Sequence, residues 1–127
     1  MPDDNHQEWH WGEGTKYALE GMKTLLLLNG GSAVALLAFV GNLKRSDATP
    51  GATATPLPTV GCAILCFGFG ALCVAVAFSF AYVAQLMYGN KRVDHALIFH
   101  YLTYGTIVLS VLAFVAGLGF GWRGLQI

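Results

Sequence analysis

The distribution of charged residues constrains the fold of this chain more than any other sequence feature. Three stretches contain no Asp, Glu, Lys or Arg: 20 residues from Thr24 to Leu43, 43 residues from Ala48 to Asn90, and 28 residues from His95 to Trp122. About 20 mostly apolar residues let a helix cross a hydrocarbon core of roughly 30 Å. A soluble helix of this length would carry charges on its outer face. The sequence therefore predicts an all-α integral membrane bundle of three transmembrane helices.

Polar and helix-breaking segments set the boundaries of the predicted spans. A polar and aromatic N-terminal tail forms a short interfacial segment, and Thr15 is the expected N-cap of the first helix. The second and third spans are joined by a short turn, so we expect them to be antiparallel neighbours. The predicted parts are a tail over 1–14 and a membrane domain over 15–127, with spans at about 24–43, 59–88 and 95–121 and a Pro- and Thr-rich loop over 44–58.

Charge also excludes some partners and bears weakly on orientation. The chain has seven basic and seven acidic residues and no basic patch, so nucleic-acid binding is not expected. Its acidic N-terminus lacks the positive region of a signal peptide, so we expect the first span to be retained. Four Lys and Arg residues flank the spans on the N-terminal side of the membrane and three on the other, which favours an N-terminus inside. Aromatic and basic residues suited to the bilayer interface are Trp9, Trp11, Tyr88, Trp122 and Arg123.

Each span carries a row of small or weakly polar residues at spacings of mostly three and four, which keep them on one helical face. Helices in lipid associate through close backbone contact, which small residues permit. The rows pack the three spans together or face another subunit, and the sequence leaves both readings open. Off the row of span two, Leu72 and Val74 are expected to face lipid. The rows are Thr24, Gly31, Ala35, Ala38 and Asn42; Cys62, Cys66, Gly70, Cys73, Ala77, Ala81 and Ala84; and Thr106, Ser110, Ala113, Gly117 and Gly121.

Cysteine and histidine do not form a convincing metal or haem site in this sequence. All three cysteines lie on span two, where Cys73 is about 10 Å along the helix from Cys66, and no other span supplies a cysteine to complete a site. His95 and His100 lie at the start of span three, and the first two spans contain no histidine to face them. We therefore predict no metal and no cofactor. His6 and His10, four residues apart in the tail, are a weaker metal-binding alternative.

Asn29 is the one strongly polar side chain deep within a span. In hydrocarbon its amide needs a hydrogen-bond partner, so we expect it to face another helix or its own backbone. Gly30 and Gly31, which follow it, permit close approach or a local bend. The alternative is that Asn29 lines a narrow pore together with Ser32, Thr106 and Ser110. No catalytic motif and no acid or base lies in the spans, so an enzyme is not expected.

Three strings within the spans carry a resemblance. LLLLNGGSAVALLAF in the first span, AYVAQLMYG at the end of the second and LSVLAFVAG in the third resemble a loose group of small bacterial membrane proteins of uncharacterised function. The resemblance implies a multi-pass protein of the bacterial inner (cytoplasmic) membrane. It implies no activity.

Three functions fit these features. The first is a non-enzymatic protein that works through helix association, as a homo-oligomer or an accessory subunit of a membrane complex. The second is a pore-forming protein, such as a phage holin or an antiphage effector. The third is a small transporter, although the spans lack a charged residue that would couple or bind an ion.

Membrane integration and orientation are testable together. The protein should stay in the membrane pellet after an alkaline carbonate wash, because three apolar spans anchor it. A cysteine at Thr53, introduced where Cys62, Cys66 and Cys73 are Ser, should react with an impermeant maleimide outside intact cells. Release by carbonate would contradict the membrane prediction, and labelling only after lysis would invert the orientation.

Overall fold

The computed structural model describes residues 4–46 and 57–125, which form three helices. They are α1 (Asp4–Ser46), α2 (Leu57–Gly89) and α3 (Val93–Leu125). Each contains a stretch long and apolar enough to cross a membrane: Thr15–Asn42, Pro58–Gly89 and Val93–Gly124. The prediction of an all-α bundle with three candidate membrane spans is confirmed.

The first helix is longer than the sequence predicted. It begins at Asp4, so the expectation that Thr15 caps its N-terminus is wrong. The reason is that residues 4–46 contain no proline, and Gly12 and Gly14 cost only about 1 kcal/mol each relative to alanine in a helix. The helix also continues to Ser46 into the predicted loop, of which residues 47–56 lie outside the described residues.

Helices α2 and α3 pack against each other as an antiparallel hairpin, as the short turn predicted. The ring of Phe67 lies 5.6 Å from that of Phe114, and the ring of Phe80 lies 6.0 Å from that of Phe99. Later residues of α2 therefore contact earlier residues of α3, which is the antiparallel arrangement. Gly117 leaves room for Phe67, since a Cβ atom there would lie 2.7 Å from the ring. The absence of a side chain at Gly117 thus lets the ring of Phe67 pack directly on the backbone of α3.

The first helix lies on the surface of this hairpin. Among the residues of its most apolar stretch, 6% are buried, against 39% for α2 and 17% for α3. Its Met22 joins Val74 and Ala77 of α2 in a small buried cluster. The expectation that Val74 faces lipid is wrong, because Val74 has no exposed surface in this cluster. Leu72, by contrast, is 60% exposed and lies on the surface of the bundle.

The turn between α2 and α3 closes α2 with a left-handed residue. The N–H of Arg92 donates to the carbonyl of Met87 at 3.0 Å, and the N–H of Lys91 donates to that of Tyr88 at 3.1 Å. This pair of bonds is the Schellman motif, whose penultimate residue adopts a positive φ and is usually glycine. Here Lys91 occupies that position with φ of 57°. For a residue with a Cβ atom, this backbone conformation is less favourable by about 1–2 kcal/mol.

Replacing Lys91 with Gly should therefore stabilise the hairpin. We expect Lys91→Gly to raise the free energy of unfolding by about 0.5–1 kcal/mol, because glycine adopts positive φ without steric cost but has more freedom when unfolded. Lys91→Ala, which keeps the Cβ atom, serves as the control and should give no such gain. Thermal unfolding in detergent measures both, and an equal gain in the two variants would point to charge rather than backbone conformation.

Candidate functional site

Asn29 forms the polar centre of the bundle. Its side chain has no exposed surface, and its Nδ2 donates to the carbonyl oxygen of Leu25 and to Oγ of Ser110, both at 3.1 Å. Ser110 is also fully buried, on α3. Asn29 thus has both a partner on its own helix and a partner on another, which are the two kinds that the sequence analysis anticipated. The amide links α1 to the far helix of the hairpin.

Gly70 of α2 packs against the same amide of Asn29, so the remaining helix also takes part in this contact. A Cβ atom built on Gly70 would lie 2.6 Å from Cγ of Asn29, so no other residue type fits without displacing the amide. The oxygen Oδ1 of Asn29 is buried and accepts no conventional hydrogen bond in the described part of the chain. It lies against Gly70, at the place where any other residue would carry its Cβ atom. Residues from all three helices therefore meet at one point.

Several other hydroxyl groups in the spans bond to their own helices. Thr103 donates to the carbonyl of Phe99 at 2.9 Å, and Thr106 donates to those of Leu102 and Thr103 at 3.0 and 2.9 Å. Such bonds to the preceding turn satisfy a hydroxyl in lipid without a neighbouring helix. Asn29 and Ser110, by contrast, form a side-chain hydrogen bond between α1 and α3.

The small-residue rows of α2 and α3 lie mostly inside the bundle. Cys62, at one end of α2, is exposed, and Cys66 is half-buried. The half-buried members include Ala81, Thr106 and Gly121. The buried members of the two rows are Gly70, Cys73, Ala77, Ala84, Ser110, Ala113 and Gly117.

The row on α1 lies on the outside. All five of its members, Thr24, Gly31, Ala35, Ala38 and Asn42, are exposed. At about 100° per residue they lie roughly 180–240° around the helix from Asn29, so they face away from the hairpin. A side chain added at Gly31 would meet nothing within 4 Å. We call this surface the outer face of α1.

A shallow apolar groove runs between α2 and α3 on the side away from α1. Its volume is about 420 Å³. Phe69 of this groove is nine residues from Phe78, which packs on the cluster with Met22, so the two point to opposite sides of α2. The groove is lined by Leu65, Cys66, Phe69, Leu109, Leu112, Ala113 and Ala116.

The predicted interface residues lie near the helix ends where the structure describes them. Tyr88 and Trp122 are exposed, at 38% and 66%, and Arg123 is exposed in the last turn of α3. Helix α1 includes Trp9, Trp11, His6 and His10, whose side chains lie outside the described residues. His95 is exposed, and His100 packs edge-on against Tyr104 at 4.8 Å. Among the described residues, His, Cys, Asp and Glu side chains form no group of three that would hold a metal.

Comparison with known proteins adds no relative. Neither a scan against protein-family models nor searches of curated proteins and of solved structures gave a match to this chain.

Two features of this site were not anticipated from the sequence. One is that Ser110 is the partner of Asn29, although both are polar residues within apolar spans. The other is that Gly70 contacts Asn29, where spacing marked it only as one of seven small residues on α2. For each of these residues the sequence showed only a local property, a polar or a small side chain. A local property does not specify which residue it will contact on another helix.

The contact of Gly70 with Asn29 predicts strong energetic coupling. Gly70→Ala should destabilise the bundle by about 1–3 kcal/mol, because the new methyl group overlaps the amide. Gly68→Ala is the matched control on the same helix, since a Cβ atom there meets nothing within 4 Å, and it should be neutral or slightly stabilising. Unfolding free energies measured in bicelles test the pair.

A double-mutant cycle isolates the contact itself. In an Asn29→Ala background, Gly70→Ala should cost at least about 1 kcal/mol less than in the wild type, because the methyl group then occupies the space that the amide leaves. Asn29→Ala alone should lower the free energy of unfolding by about 0.6 kcal/mol through the lost interhelical hydrogen bond, which is the average in membrane proteins. Lost packing lowers it further. Additive effects would show that Gly70 and Asn29 do not touch.

Proposed function

We propose that this protein is a non-enzymatic membrane protein that acts by helix association, with a second copy of itself as the partner. The outer face of α1 carries this proposal. In a bilayer a helix gains little by hiding apolar surface, so contact between subunits depends on small residues that let backbones approach. The outer face of α1 has such residues at helical spacing, and α1's own bundle leaves them uncovered.

The weak burial of α1 supports the same proposal. Asn29, Met22 and Leu25 contact the hairpin along one side of α1, and its opposite side is free over the length of the span. Thr24 and Asn42 add polar groups near the two ends of that free side. The hydroxyl of Thr24 already donates to the carbonyl of Glu20 at 2.9 Å, which leaves its oxygen able to accept from a neighbour. An accessory subunit would use this face in the same way toward a different protein.

Burial of the polar groups favours association over a pore. A lumen within one bundle would need Asn29 and Ser110 to face water, and they are fully buried against each other and Gly70. The hydroxyl of Thr106 is bonded to its own helix.

We propose that the protein lies in the bacterial inner membrane with its N-terminus inside, on the grounds of the resemblance and the distribution of Lys and Arg residues.

Two alanines on opposite sides of α1 provide the test. In a protein without other cysteines, Ala35→Cys on the outer face should form disulfide-linked dimers in the membrane on mild oxidation. Ala33→Cys, two residues away and half-buried toward the hairpin, is the matched control and should not. Gly31→Leu should weaken the dimer by about 1–3 kcal/mol through overpacking while the fold persists, because its side chain would project from the bundle surface. Cross-linking through Ala33→Cys but not Ala35→Cys would reject the outer face as the contact.

Dye release from liposomes separates association from a pore. Wild-type protein should leave the vesicles tight at densities where Ala35→Cys cross-links. Leakage that disappears in Asn29→Leu while dimers persist would instead establish the pore and overturn this proposal.

A further inference from the structure

A second depression lies where α2 begins and α3 ends. It has a volume of about 270 Å³ and is lined by Pro58, Thr59 and Cys62 of α2 and by Phe120 and Arg123 of α3. Its walls are thus partly apolar, with one guanidinium group and one hydroxyl group. We call it the Arg123 pocket.

The pocket carries the positive charge of Arg123, which pairs with no acidic side chain among the described residues. Arg123 forms no ion pair or hydrogen bond with any other residue in the described part of the chain. The first turn of α2 contains no acidic residue that would offset it. The positive end of the α2 dipole adds to the guanidinium on the same side of the pocket. An anion at this point would gain from both.

Packing holds Arg123 beside α2. A Cβ atom on Gly124 would lie 2.9 Å from Cγ2 of Val60, so the last turn of α3 is in close contact with the first turn of α2. The long arginine side chain therefore starts from a fixed point next to Thr59. A larger residue than glycine at position 124 would push the last turn of α3 outward.

The depth of the pocket corresponds to the phosphate level of a bilayer. The membrane-spanning stretch of α2 begins at Pro58, and that of α3 ends at Gly124. The neighbouring Trp122 is 66% exposed, as expected for an indole ring at the membrane interface. Phospholipid phosphates lie at this boundary, with glycerol and acyl chains directly below, where Phe120 and Cys62 line the wall.

We propose that the Arg123 pocket binds the phosphate group of an anionic phospholipid, with the glycerol backbone against its apolar wall. The guanidinium offers paired N–H donors that match two phosphate oxygens. The apolar wall favours a lipid over free inorganic phosphate, which has no apolar part to bury. This site is independent of the outer face of α1.

Native mass spectrometry of the full-length, delipidated protein tests the proposal. Phosphatidylglycerol is added in increasing amounts, with phosphatidylcholine and diacylglycerol of the same acyl chains as comparisons. The wild type should retain one phosphatidylglycerol more tightly than either comparison lipid. Arg123→Gln should weaken that binding about fivefold to tenfold, because it removes a charge-assisted interaction. Arg123→Lys should restore part of it.

Arg45→Gln is the matched control. Arg45 is an exposed arginine at the end of α1, on the same side of the membrane, and its loss should leave the tight lipid unaffected. Gly124→Leu should weaken binding while Arg123 is still present, because it displaces the last turn of α3. Equal retention of phosphatidylglycerol by wild type and Arg123→Gln, or equal losses in Arg123→Gln and Arg45→Gln, would overturn the site. Competition by inorganic phosphate without tight lipid binding would assign the pocket to the free anion and reject the lipid.

Discussion

The side-chain amide of Asn29 lies where no water reaches, and the position of α1 depends on it. A helix in lipid satisfies its own backbone hydrogen bonds, so the main chain of α1 needs no neighbour. The amide does need one, and it finds Ser110 on α3 at 3.1 Å. Gly70 on α2 then has to lack a side chain for the amide to fit. One polar group thereby sets both the rotation of α1 and its depth against the hairpin.

The two other helices hold together by a different physical means. Along α2 and α3, phenylalanine rings pack over glycine and over each other, so the backbones approach and dispersion forces act over the whole interface. The contact of α1 is smaller and is confined to one side of that helix. The protein is therefore a tight helical hairpin with a third helix attached at a polar point. The uncovered surface of that third helix is the one we propose as the contact with a second subunit.

Two environments along the same bundle favour two different kinds of partner. At mid-membrane, where charged groups are costly, the outer face of α1 exposes small residues, and close packing is the interaction they allow. At the boundary, the guanidinium of Arg123, which forms no ion pair with a described residue, can be solvated and can also bind phosphate. The proposed protein contact on the outer face of α1 and the proposed lipid contact at the Arg123 pocket are thus separated both in depth and in chemistry.

The number of candidate spans was determined by the sequence alone, because length and lack of charge are local properties that a bilayer requires of each helix. The need of Asn29 for a partner followed from the same constraint. Which face meets which was decided by tertiary structure: Val74 is buried though expected in lipid, and the small residues of α1 face outward while those of α2 and α3 mostly face inward. Ser110 became the partner of Asn29 across 81 residues of chain. In water an amphipathic pattern would have marked the inner faces, but here the interior and the lipid are both apolar, so only packing distinguishes them.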